Sequence, residues 1–161
     1  LLEIAVGLAI QFVAFREAEP GRAFGAPARA AIAAGGILVF VIVTLTTHAL
    51  LPTAVRSDLV VSYIWECFGQ AMVIALPAMI VPLWLTVRGL PEHPALAGAL
   101  VGLGIGIMGD AGMRLYCWIT EPGHVLLAHG GAIALAALVG AAASAIKVRI
   151  EHLHLDHFID R

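Results

Sequence analysis

The stretch Pro94–Met113, PALAGALVGLGIGIMGDAGM, is twenty residues long and carries a single charge, Asp110. At 1.5 Å per residue it makes a helix of about 30 Å, and about 20 mostly apolar residues are what a bilayer-spanning helix needs. Outward from it the pattern repeats. Residues 59–87 hold only Glu66, residues 30–55 hold no charge, and residues 123–146 hold none apart from two histidines. Over the whole chain of 161 residues, 61% are hydrophobic and 12% charged, where a soluble domain carries roughly 25% charged residues. These runs predict an all-α, polytopic membrane helix bundle of five spans, near residues 1–15, 30–51, 59–87, 94–117 and 123–146, followed by a cytoplasmic tail over 147–161. The breaks between spans have turn chemistry: AEPGRAFGAPAR, LPTAVRSD, RGLPEHP and TEPG. The third span contains Pro77 and Pro82 and is expected to kink or tilt. The first run is short and the chain opens on Leu1, so residues upstream of it are expected.

Charge orients the spans. With five spans, one face of the membrane holds Arg16, Arg22, Arg29, Arg88, Lys147, Arg149 and Arg161, and the other holds Arg56 and Arg114. Basic residues concentrate on the cytoplasmic side, which places the first loop, the third loop and the C-terminus inside. The formal net charge of −2 gives no nucleic-acid footprint.

Orientation gives depth. Cys67 lies roughly 12 Å below the outer end of its span and Asp110 roughly 10 Å below the outer end of the next. His48, His124 and His129 belong to the same outer half. Polar groups from four segments therefore converge on one side. Asp110 and Arg114 are i and i+4, share a helix face and can pair, with Cys117 on the same side. Glu66 and Cys67 are adjacent and point about 100° apart, and Gln70 shares the face of Glu66.

Ionisable groups inside a membrane are costly and point to a bundle interior or a wet cavity. The functional reading is a pocket in which Cys67 and Cys117 are sensor thiols beside Glu66, Asp110, Arg114, His124 and His129. A metal ion is one ligand such a set could take. The structural reading is that Asp110 and Arg114 pair, the histidines sit at headgroup level, and the cysteines act as small apolar fillers. Gly98, Gly102 and Gly106 make a double GxxxG, which favours bundle packing. The GLGIG within it follows no strand and marks no nucleotide site. In the tail, His152, His154 and His157 with Asp156 and Asp160 could hold a transition metal, although a tag-like or merely solvated tail is the favoured reading.

Three stretches carry a resemblance: WEC at 65–67, ALPAMIVPLWLTVRGLPEHPALAGALVGLGIGIMGDAGMRLYCW at 75–118, and HVLLAHGGAIALAALVGA at 124–141. Together they resemble the bacterial NrsF-like family, negative regulators of an extracytoplasmic-function sigma factor. The resemblance implies six spans with a short cytoplasmic N-terminus, so that the chain would lack the first. It also implies a cysteine early in one span and another near the outer end of the glycine-rich span, matched by Cys67 and Cys117. The family's HCP reads YCW here.

The resemblance further implies an inner-membrane regulator of transcription that meets a sigma factor on the cytoplasmic side, with a metal or an oxidant as its stress signal. The alternative is a non-catalytic subunit of a larger respiratory or photosynthetic membrane complex, packed on other membrane subunits. No CxxC, HExxH or phosphate loop supports an enzyme. The lipid bilayer is the one partner that composition alone calls for, and no cofactor is expected beyond a possible metal ion.

Overall fold

The computed structural model describes residues 1–19, 21–53 and 57–159, with side chains described throughout except at 57–61 and 152–159. Five long helices carry the fold. They are α1 (Leu2–Ala18), α2 (Ala26–Leu50), α3 (Ser57–Arg88), α4 (Pro94–Tyr116) and α6 (Gly131–Ile159). A short α5 (Pro122–Val125) and a π-turn (Leu126–Gly130) lead without a break into α6. Helices α2, α4 and α5 each begin with proline in the first turn, where the missing N–H costs nothing and the fixed φ suits a helix. Helix α3 runs through both Pro77 and Pro82, and the Thr86 hydroxyl donates to the Pro82 carbonyl at 2.8 Å.

The all-α bundle expected from the sequence is the one observed. Four helices are long and apolar enough to cross a membrane: α2, α3 from Ser62, α4, and the continuous helix from Pro122 to Glu151. The fifth, α1, has 17 residues and turns Glu3, Gln11 and Glu17 inward. The last helix does not stop near Ile146 but continues past Lys147. Arg56, Arg161 and the cluster His152, His154, Asp156, His157 and Asp160 fall outside the residues whose side chains are described.

Helix α4 is the axis of the bundle: 61% of its span is buried, against 17% for α2. It packs on α6 through the glycine ridge. A Cβ at Gly98 would collide with the Gly140 carbonyl, and one at Gly102 with the Ala136 carbonyl. The backbones approach so closely that only glycine fits, which is how helices associate in lipid. On another face of α4, Gly104 meets Gly7 and Gln11 of α1, and Gln11 donates to the Val101 carbonyl at 2.7 Å. The main apolar core gathers Ile10, Val13, Phe40, Val101 and Ile107 around this axis. The outer surface is apolar, with Ile37, Leu38, Val73, Ile80 and Val81 more than half exposed, as lipid contact requires. Trp65, Tyr116 and Trp118 lie exposed at one end of the bundle, the position of an interfacial aromatic belt.

Candidate functional site

The end of the bundle that carries those aromatics also carries the polar groups. Helix α4 ends at Cys117, whose extended backbone turns the chain away, and the loop that follows returns at once through Glu121-Pro122-Gly123. Glu121 caps the new helix, its Oε2 accepting the His124 N–H at 2.6 Å. The backbone N–H groups of Gly123 and His124 hold this carboxyl below the usual carboxylate range. The cap fixes where His124 begins. Thr120 then ties the loop to the end of α2: its N–H donates to Thr53 Oγ1 at 3.0 Å and its hydroxyl to the Leu51 carbonyl at 2.6 Å.

Beneath this lid four soft or nitrogen donors meet. Cys67 of α3 and Cys117 bring their sulfurs to 3.5 Å, and Cys117 Sγ lies 3.4 Å from His124 Nε2. With His129 added, one donor atom from each of the four residues lies within 4.8 Å of every other. Cys67, His124 and His129 are buried, and Cys117 is half-buried. A cavity of about 210 Å³ reaches Cys117 and His129 from between Thr47, Thr53, Arg114 and Thr120, and so gives a route in.

The set fits a metal. Tetrahedral zinc has Zn–S near 2.3 Å and Zn–N near 2.0–2.1 Å, which places neighbouring ligand atoms about 3.3–3.8 Å apart. The Cys67–Cys117 separation of 3.5 Å and the Cys117–His124 separation of 3.4 Å already fall in that range, and the other pairs lie within 4.8 Å. Two thiolates and two imidazoles suit zinc or copper(I) and not magnesium or calcium.

Behind the donors lies a buried charge network. Asp110 Oδ1 is 2.6 Å from His129 Nδ1, and its Oδ2 accepts from Arg114 Nε at 2.8 Å. The same Nε reaches Glu3 of α1 at 3.2 Å, and an Arg114 terminal NH2 donates to Thr44 of α2 at 2.8 Å. The guanidinium also stands over the Phe40 ring, 5.7 Å from its centre. Helices α1, α2 and α4 and the π-turn thus contribute to one ionic knot.

The expected pairing of Asp110 with Arg114 is present, and Cys67, Cys117, His124 and His129 come together. Glu66 does not join them. It is exposed, beside Trp65 and Gln70, in a groove between α3 and α4. The step of about 100° from one helical residue to the next turns Cys67 inward and Glu66 out. Sequence reasoning missed Glu3 and Thr44. Glu3 is an ionisable group within an apolar run, the same signal that marks Asp110. Thr44 has no signal of its own, because a threonine in such a helix can satisfy itself locally, as its 2.8 Å bond to the Phe40 carbonyl shows.

No curated protein and no solved structure gives a match. The sequence model of one family, described as negative regulator of sigma F, matches residues 1–149, a span that contains every residue of this site. The chain belongs to the NrsF family of negative regulators of sigma F.

Proposed function

We propose that this chain sits in the bacterial inner membrane, restrains a sigma factor on the cytoplasmic side, and releases it when a soft or borderline metal ion occupies the outer-side Cys67/Cys117/His124/His129 site. The family supplies negative regulation of a sigma factor. The observation that carries the rest is the convergence of those four donors within 4.8 Å. An oxidant acting on the two thiols is the other signal the pair could take, but a dithiol sensor has no need of two histidines aimed at the sulfurs. The site also has an outlet. His129 touches Asp110, Asp110 holds Arg114, and Arg114 holds α1 through Glu3 and α2 through Thr44. A change of ligand at His129 is therefore felt by helices that carry none of the four donors.

The test is a sigma-dependent reporter in cells with the wild-type chain or with Cys67→Ser or Cys117→Ser. Added zinc or copper should induce the reporter with the wild type, and either serine variant should abolish the response while still inserting. Induction that persists in both variants would remove the thiols from the mechanism. Induction by peroxide or diamide and not by any metal would replace the metal with thiol oxidation.

A further inference from the structure

His124 and His129 are five residues apart. In a regular α-helix of 3.6 residues per turn, five residues rotate a side chain by about 140°, which would leave the two rings on different sides. Here the chain leaves α5 after Val125 and enters a π-turn, Leu126–Gly130, which carries His129. Its i to i+5 bonding widens the turn and so brings a residue closer to the face of its fifth successor than an α-helix does. The two rings consequently lie edge to face, with centres 5.9 Å apart, and both offer a nitrogen to the sulfurs. π-turns within helices are rare and frequently mark functional sites.

A second observation concerns which nitrogen His129 presents. Its ring is 2% exposed. Nδ1 is engaged by Asp110 at 2.6 Å, while Nε2 is buried with no hydrogen-bond partner among the described residues. Metal-ligating histidines commonly donate their other ring N–H to a carboxylate, which fixes tautomer and ring orientation. Asp110 cannot swing away, because Arg114 grips its second oxygen.

We propose that the π-turn Leu126–Gly130 and the carboxylate of Asp110 are positioning elements that preset His124 and His129 as paired Nε2 ligands of the four-donor metal site. This rests on the metal reading above and extends it. The histidine half of the site is built before any ion arrives. With Asp110 behind it, His129 keeps its Nδ1 proton and is left with a lone pair on Nε2. The π-turn supplies the fourth donor, which a regular helix with the same sequence spacing would turn away.

The experiment uses the full chain in nanodiscs, titrated with Co²⁺ and then competed with Zn²⁺. The readout is the intensity of the ligand-field bands, strong only in tetrahedral sites, together with the thiolate-to-cobalt charge-transfer band. The wild type should give a tetrahedral spectrum with two-thiolate intensity. His124→Ala should weaken binding and change the ligand-field pattern. Asp110→Ala should lower affinity about 10–100-fold while keeping the two-thiolate band, and Asp110→Asn, whose amide oxygen still accepts from Nδ1–H, should recover part of the loss.

Two changes in chain length test the π-turn. Leu127 is exposed, so its removal disturbs little packing. Deleting it leaves the histidines four apart, which a regular helix places on one face, and binding should survive. Inserting an alanine after Leu127 makes the spacing six, and affinity should fall to that of His124→Ala. A merely structural π-turn would make both changes comparably damaging. Wild-type affinity in Asp110→Ala and Asp110→Asn, or in the insertion variant, would overturn the inference while leaving the metal reading intact. Absence of Co²⁺ and Zn²⁺ binding by the wild type would overturn both.

Discussion

Arg114 is the residue on which the most buried charge depends. Its guanidinium faces two carboxylates, Asp110 and Glu3, with side chains only 1% and 5% exposed. Removing one partner of a buried ionic set leaves an uncompensated charge and typically costs about 3–5 kcal/mol. Arg114→Ala is therefore expected to lose about that much stability, measured by unfolding in mixed micelles. Arg114→Lys should be intermediate, because an ammonium cannot reproduce the fork that reaches Asp110, Glu3 and Thr44 together. Glu3→Gln should cost little by itself and should recover part of the Arg114→Ala loss, since it removes one of the two acidic groups left facing the gap. Strict additivity of the two substitutions would show that Glu3 and Arg114 do not interact.

At the scale of elements, the contact between α4 and α6 depends on missing side chains. An alanine at Gly102 would drive its methyl into the Ala136 carbonyl and within 2.7 Å of Ala137 Cα. Backbone cannot yield as a flexible side chain can, so α6 must move. Overpacking of this kind costs about 1–3 kcal/mol, and Gly102→Ala is expected to fall in that range. Gly112 is on the same helix, but a methyl there would meet nothing within 4 Å. Gly112→Ala should be neutral or stabilising by up to about 1 kcal/mol through helix propensity. Equal losses from the two substitutions, measured side by side, would mean that the ridge is not what holds the helices together.

At the scale of the whole molecule, the four-donor cluster of Cys67, Cys117, His124 and His129 lies at one end of the bundle, and Arg29 with Glu17, paired at 2.7 Å, lies at the other. The seven-to-two distribution of basic residues predicts that the Arg29 end faces the cytoplasm. A C-terminal fusion to a fluorescent protein that matures only inside the cell is expected to be bright, and a fusion to a phosphatase active only in the periplasm is expected to be silent. The reverse pattern would place the thiols on the cytoplasmic face, and the source of the signal would have to be intracellular.

The helices themselves were legible in the sequence. Long charge-free runs in a chain with mean hydropathy of +0.97 have few alternatives, because a backbone in lipid must satisfy its own hydrogen bonds. The Asp110–Arg114 pair was equally legible, because helical spacing alone places i and i+4 together. The partners of that pair were not. Glu3 is 111 residues from Arg114 and Thr44 is 70 away, and no local period links such positions. The rotation of α3 that admits Cys67 and excludes Glu66 depends on which side of that helix α4 occupies. The union of His124 with His129 depends on a π-turn, and a five-residue spacing in a regular helix would argue against it. Local sequence pattern determined which segments are helices and roughly how far along its helix each polar group lies. Close packing around α4, set by where a Cβ fits and where it does not, decided which of those groups meet.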